Sequence, residues 1–207
     1  MLYKYPRTPH LPWSEGVSND DKVLKDLSIF KGKEILVTEK LDGENTTLYR
    51  DYYHARSLDS SDHISQHWLK GFHASIKHMI PEGFRICGEN LFAKHSIYYD
   101  KLPSYFFVFS VWDNEKCLSE LDMLLFCVEL NLYQVPFLYE GIFDEELLRN
   151  LKFESRYGNE VEGYVIRNSN EFLYGDFENN VAKFVRKNHV QTDQHWKSQE
   201  IVKNLLK

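Results

Sequence analysis

The chain has 207 residues, 43% hydrophobic, 15% aromatic and 27% charged, which excludes a disordered chain and gives enough apolar content for a core without disulfide staples. Its three cysteines, Cys87, Cys117 and Cys127, show no CxxC spacing, which argues against a disulfide framework or a cysteine zinc site and favours a reducing interior. A net charge of −6, from 25 basic and 31 acidic residues, excludes nucleic-acid binding by bulk charge and leaves a local basic face or a phosphate-bearing ligand. No apolar run approaches the roughly 20 residues of a membrane helix, and Met1 to Arg7 contains no apolar signal-peptide stretch. The expectation is a single 1–207 domain, intracellular (cytoplasmic), with no membrane partner.

In chain order, the stretch to Trp13 is rich in proline and aromatics and reads as an extended lead-in. Asp20 to Phe30 places Val23, Leu24, Leu27 and Phe30 at helical spacing behind a Ser18-Asn19-Asp20 cap. Glu34 to Lys40 is a β-rich run, Leu41 to Asn45 a turn, and Thr46 to Arg50 a second strand. His63 to Ile80 predicts a helix with Ile64, Trp68, Phe72 and Ile76 on one face, ended by Pro81-Glu82-Gly83. Phe84 to Cys87 is a strand leading into Gly88-Glu89-Asn90, and Tyr105 to Trp112 is a strongly apolar, central strand. Ser119 to Asn131 predicts a helix capped by Ser119, with Leu121, Leu124, Leu125 and Val128 as its buried stripe. Asp144 to Leu151 is a shorter helix. Glu162 to Arg167 and Val181 to Arg186 are strands expected to form a hairpin, and Thr192 to Leu206 predicts a terminal helix. Strands and helices mix without a βαβ rhythm, so the fold class is α+β with antiparallel sheets.

Lys40-Leu41-Asp42-Gly43-Glu44-Asn45 is the most informative stretch. A lysine at a strand end, with glycine three residues on, allows close backbone approach to a ligand. The amine is nucleophilic only when neutral, and its ordinary pKa is about 10.4. Glu39 and Asp42 alone would hold its proton on, so a reactive Lys40 requires a metal or other cations nearby. A solvated lysine in a tight turn is the plain alternative for this hexapeptide alone. Further along, Glu89 follows a β run, Phe106 to Phe109 puts aromatics on both faces of a strand, Glu162 opens another, and Lys183 sits inside an apolar one, where lysine is unusual.

In this order the segments resemble the covalent nucleotidyltransferases, the superfamily of polynucleotide ligases and capping enzymes. Lys40 to Asn45 is similar to motif I, His54-Ala55-Arg56-Ser57 to motif Ia, Gly88-Glu89 to motif III, Phe106 to Trp112 to motif IIIa, Glu162 to Arg167 to motif IV, and Val181-Ala182-Lys183 to motif V. Asn45 stands where DNA ligases and capping enzymes usually carry arginine and RNA ligases commonly carry asparagine. The resemblance is therefore greatest to the ATP-dependent RNA ligases of the repair type.

The resemblance implies the nucleotidyltransferase (ATP-grasp-like ligase adenylation) fold, with antiparallel sheets around a nucleotide cleft. It also implies ATP and Mg²⁺ or Mn²⁺ as cofactors, a lysyl–AMP intermediate, and RNA 3′-hydroxyl and 5′-phosphate ends as substrates. Lys40 would be the nucleophile, and Asp42 and Glu162 would hold the metal. Lys183 would meet the α-phosphate, Glu89 would accept from the ribose hydroxyls, and Phe109 would stack on adenine, with Phe107 on the same strand face. Glu39 would read the adenine amino group, and Asn45 and Arg56 would engage phosphate or the RNA end. A minimal DNA ligase, a capping enzyme and a non-catalytic nucleotide- or RNA-binding module are the alternatives.

Two departures from the pattern stand out. Many ligases carry a second lysine two residues after the first in motif V; here that place is Val185, with Arg186 and Lys187 next. The chain also ends 24 residues past Lys183, so no separate C-terminal domain is expected, and complete sealing would call for a partner protein that supplies end binding or for an unusual compact mode. Among other candidates, Lys94-His95 and Arg186-Lys187-Asn188-His189 are local basic runs suited to phosphate. His63 and His67 sit four apart, a spacing a metal can share, but exposed histidines are expected along that helix.

Overall fold

The computed structural model describes residues 1–58, 66–187 and 201–207. Two antiparallel sheets dominate. The first has four strands in the order β11-β9-β1-β8, where β1 is Glu34–Lys40, β8 Phe137–Ile142, β9 Gly163–Asn168 and β11 Val181–Val185. The second has the path β10-β6-β5-β4-β2-β3, with β2 Glu44–Leu48, β3 Tyr53–Ala55, β4 Phe84–Asn90, β5 Phe106–Asp113, β6 Lys116–Cys117 and β10 Phe172–Leu173. A short strand β7, Tyr133–Gln134, pairs in parallel with β5. The helices are α1 His67–Ile76, α2 Glu120–Glu129 and α3 Glu145–Arg149. This is the expected mix of helices and antiparallel sheets, and no helix among the described residues is long and apolar enough to cross a membrane.

Period-2 alternation sets the two faces of β1. Ile35 and Val37 are buried in one cluster with Leu11, Phe30, Tyr164 and Ile166. Leu36, Thr38 and Lys40 face the space between the sheets. The β1–β9 register pairs Leu36 with Arg167, Thr38 with Val165 and Lys40 with Gly163. Gly163 lies so close to β11 that a Cβ there would come within 1.9 Å of the Phe184 carbonyl oxygen. In the second sheet, Phe106 and Val108 join Leu48, Ile86 and α1 in one core, while Phe107 packs in another with Leu41, Leu91 and Tyr99.

Several expectations need correction. Asp20 to Phe30 is not an α-helix; only Ser28–Phe30 forms a 3₁₀ turn. Val23 instead bridges to His10, with His10 N–H bonded to the Lys22 carbonyl and Leu24 N–H to the His10 carbonyl. Asp26 Oδ1 accepts from Ser28 N–H at 2.8 Å, a local bond that competes with helix. The helix α2 exists and Ser119 caps it by accepting from Asp122 N–H, but its predicted buried stripe faces outward: Leu121 is 63% and Val128 70% exposed, and Leu124 and Leu125 are also exposed. Met123 and Cys127 are buried instead. The strands β9 and β11 do pair as neighbours, yet their connection is no simple hairpin turn, because β10 leaves to join the other sheet and a 3₁₀ stretch, Tyr174–Asn179, follows it. Most of the Thr192 to Leu206 helix lies outside the described residues. Residues 201–207 form no helix and make isolated bridges, Lys203 to Ala93 and Leu206 to Leu102.

Candidate active site

The cleft between the sheets encloses about 850 Å³ of empty space including its open mouth. One wall is Leu36, Thr38 and Lys40 of β1, Val165 and Arg167 of β9, and Val181 and Lys183 of β11; the other is Asn45 of β2, Glu89 of β4 and Phe109 of β5. Residues from five separate sequence motifs therefore meet on one cavity, as the sequence order implied.

Lys40 is one of its lining residues. Its Nζ donates to Glu162 Oε2 at 2.9 Å, and its side chain stays 24% exposed. Burial alone would lower the Lys40 pKa, but Glu162, Glu89 and Asp42 outweigh it and the net shift is upward. The upward shift and the 2.9 Å contact describe an ammonium paired with Glu162. Glu89 is buried beside it and accepts from Gly43 N–H at 3.1 Å. Burial, helped by Glu162 and Asp42 and opposed by Lys40 and the Gly43 amide, pushes its carboxyl up to about 8. Gly43 serves the fold rather than a ligand: a Cβ there would lie 2.6 Å from the Asn90 carbonyl oxygen.

Lys183 faces the same cleft, and its Nζ lies 3.9 Å from Asp21 Oδ1. Burial and the nearby Lys40 charge lower its pKa. Asn45 pairs with Glu89 across β2 and β4, and its buried Oδ1 has no hydrogen-bond partner among the described residues. Phe109 is partly buried and meets Tyr5 edge-on at 5.1 Å between ring centroids. Phe107, two residues away, is wholly buried and does not reach the cleft.

Three candidates stand differently. Asp42 lies outside the cleft lining, and its Oδ2 accepts from Ser96 and Ile97 N–H at 2.7 and 2.8 Å. Glu39 borders the cleft, but its Oε1 accepts from Ser155 Oγ at 2.5 Å and its Oε2 from Arg156 N–H at 3.3 Å. Burial raises its pKa against those two hydrogen bonds. Arg56 is outside the lining too, within electrostatic reach of Lys183; burial and Arg7 lower its own pKa, opposed by Asp21. Arg186 is paired with Glu160 and bonded to the Val161 carbonyl, and it is not among the residues lining the cleft. Lys187 lines a neighbouring open cavity with His10, Glu162 and Lys183. Asn188, His189 and His63 lie outside the described residues. His73 is buried rather than exposed, its Nε2 2.6 Å from the Tyr49 carbonyl.

Sequence reasoning missed the N-terminal segment. Lys183 N–H bonds the Pro9 carbonyl and Leu11 N–H the Lys183 carbonyl, which lays residues 9–11 alongside β11. Tyr5 and Thr8 thereby line the cleft, and buried His10 comes beside Lys183, with Nδ1 2.7 Å from Ser14 Oγ and Nε2 3.4 Å from Asp21. Burial and the Lys183 charge hold His10 down to about 4, against the pull of Asp21. The Pro-rich composition signalled an extended segment and nothing about its docking site. Glu120, Met123 and Gln134 at the opposite end were likewise unassigned.

The cleft suits a nucleotide: its lining combines the partly buried ring of Phe109, Val165, two lysines, the Glu89 carboxylate and the unpartnered Asn45 amide oxygen. Carboxylate oxygens near Lys40 suit a hard cation. No group of three or more His, Cys, Asp or Glu residues gathers to hold a metal among the described residues, so such an ion would need water and phosphate oxygens to complete its shell.

The family model described as RNA ligase matches residues 33–185, and the chain belongs to that family. No curated protein matches it. It is similar in fold to solved structures of an RNA ligase from Naegleria gruberi. A lysine-to-alanine mutant with ATP and Mn superposes with a TM-score of 0.60 at 18% identity, covering 90% of this chain and 61% of that one. A second such mutant, also with ATP and Mn, gives 0.56 at 19%, and the form with PPi 0.56 at 20%; each covers 79% of this chain and 53% of that one. The chain thus spans little more than half the length of these structures.

Proposed function

We propose that this chain is the nucleotidyltransferase unit of an ATP-dependent RNA ligase. Lys40 attacks the α-phosphorus of ATP and expels pyrophosphate. The AMP passes to an RNA 5′-phosphate, and a 3′-hydroxyl then displaces AMP to join the ends. The observation that supports this reading best is Lys40 lining one cleft with Lys183, Glu89 and Phe109 while its amine pairs at 2.9 Å with Glu162, which lines the adjoining open cavity. The Naegleria structures with ATP, AMP and Mn support adenine nucleotide and divalent metal as its ligands.

Glu162 Oε2 is the acceptor for the proton Lys40 must lose before it attacks. Glu162, and Asp42 through water because its Oδ2 is taken by the Ser96 and Ile97 amides, would hold Mg²⁺ or Mn²⁺, which supplies positive charge to offset these carboxylates and the nucleotide phosphates. Lys183 stabilises the charge that builds on the α-phosphate oxygens. Glu89 accepts from the ribose hydroxyls, and its raised pKa marks a group held ready for a charged or donor-rich ligand. The base lies between Phe109 and Val165, while Asn45 and Arg56 engage phosphate or the RNA end. Any end-binding surface beyond this unit comes from a partner protein or a further part of the polypeptide.

The test uses ATP labelled at the α- or the γ-phosphate, incubated with protein and Mn²⁺ and then denatured. Label retained from the α-position only, and absent in Lys40→Ala, is the expected result. Retention from GTP alone would favour a capping enzyme, and no retention a binding module. Nicked RNA and nicked DNA substrates then identify the polynucleotide.

A further inference from the structure

The end of the cleft opposite Lys40 holds an ion pair that the chemistry above does not use. Arg167 Nη2 on β9 donates to Glu120 Oε2 at 2.8 Å, at the first turn of α2. Both residues line the cleft. The β1–β9 register fixes how far along the strands Arg167 stands from Lys40. Lys40 stands opposite Gly163, Thr38 opposite Val165, and Leu36 opposite Arg167. Arg167 therefore lies four strand residues from Lys40, about 13 Å by strand rise. That backbone span is long enough to seat an α-phosphate near Lys40, a ribose beside Glu89 and a base beside Phe109, with the six-position edge of a purine toward Arg167 and Glu120.

Only one oxygen of Glu120 is engaged. Oε1 has no hydrogen-bond partner among the described residues, and the side chain keeps 18% exposure. Burial raises the Glu120 pKa and the Arg167 guanidinium opposes that shift; the guanidinium also orients the carboxylate, which in its ionised form offers the cleft only acceptors. Glu39, the carboxylate that the sequence pattern implied for the adenine amino group, has both oxygens bonded to Ser155 and Arg156.

We propose that Glu120, oriented by Arg167, is the specificity-determining residue that accepts a hydrogen bond from the 6-amino group of adenine. A guanine in the same place would turn its O6 acceptor against the Glu120 acceptor in a water-poor site and be rejected. This inference rests on the reading of the cleft as an adenylylation site.

The experiment measures kcat/KM for self-labelling by ATP, by purine riboside triphosphate, which lacks the 6-amino group, and by GTP, in wild type and Glu120→Gln. In wild type, loss of the 6-amino group should lower kcat/KM about tenfold or more, the worth of a hydrogen bond to a charged acceptor. In Glu120→Gln the same loss should matter less than about threefold, and GTP use relative to ATP should rise about tenfold or more, because a carboxamide can donate to O6. A variant that is merely less stable lowers all three nucleotides together and leaves these ratios alone. An ATP to purine riboside ratio that is unchanged in the variant would overturn the proposal. So would a wild type that uses both equally, a result that stands even if the variant does not fold. A wild type that takes no label from any nucleotide would refute the adenylylation reading itself, and this proposal with it.

Discussion

Replacing Glu89 with glutamine should stabilise the fold above neutral pH while weakening nucleotide use. In the folded chain the carboxyl is buried beside Glu162 and Asp42, and its pKa rises from an ordinary 4.5 to about 8 despite Lys40 and the Gly43 amide. Between those values the folded state keeps a proton that the unfolded state has released, so stability falls as pH rises through that window and the penalty is complete above about 8. At 1.36 kcal/mol per pKa unit the ceiling is roughly 5 kcal/mol; dielectric response at an effective constant near 20 brings the expected difference to about 1–3 kcal/mol. Glutamine keeps the shape and an acceptor for Gly43 and never ionises. Urea unfolding of both proteins at about pH 5 and pH 8.5 should give near-equal stabilities at the first and a clear advantage for Glu89→Gln at the second. A difference that stays constant with pH, or that shifts toward wild type as pH rises, would refute the reasoning. Self-labelling by ATP should drop in the same variant, since an amide is a poorer acceptor for ribose hydroxyls.

Other outcomes follow from the same geometry. Lys183→Met should cut the labelling rate by about 10²–10³-fold, the usual cost of losing a charge-stabilising donor, with a melting temperature close to wild type. Phe109→Ala should raise KM for ATP about tenfold, from the ~1–3 kcal/mol of a lost base stack, whereas Phe107→Ala, wholly buried, should cost about 3–5 kcal/mol of stability in urea. Ser119→Ala removes the α2 cap and should cost about 1 kcal/mol by the same measurement.

The site was more legible in the sequence than the helices were. The run Glu34–Lys40 appears as a strand with the bounds read from its β-rich composition, because alternation and a following glycine turn are local signals. The motif residues Lys40, Asn45, Glu89, Phe109 and Lys183 converge on one cleft because each sits at a fixed place on a strand. The outward face of α2 could not be read that way. Its ten residues, ELDMLLFCVE, are apolar almost all round, so period alone does not choose between the Leu121–Val128 stripe and the Met123–Cys127 one; packing against β5 and β7 chooses. The Asp20 to Phe30 stretch failed for a different reason. A bridge from Val23 to His10, thirteen residues earlier, replaces helical bonds with non-local ones, and no window of sequence contains both partners' geometry. The docking of residues 9–11 on β11 is non-local in the same sense, which is why Tyr5, His10 and Asp21 escaped notice.

The proposed intermediate is a single phosphoramidate bond between the Lys40 amine and AMP. Peptide mapping by mass spectrometry, after incubation with ATP and Mn²⁺ at neutral pH and digestion without acid, locates it directly. The predicted result is one adenylyl group on the peptide that carries Lys40, formed in step with pyrophosphate release and absent in Lys40→Ala. An adenylyl group found on another side chain with Lys40 unmodified, or an adduct that persists in the Lys40→Ala protein, would contradict it.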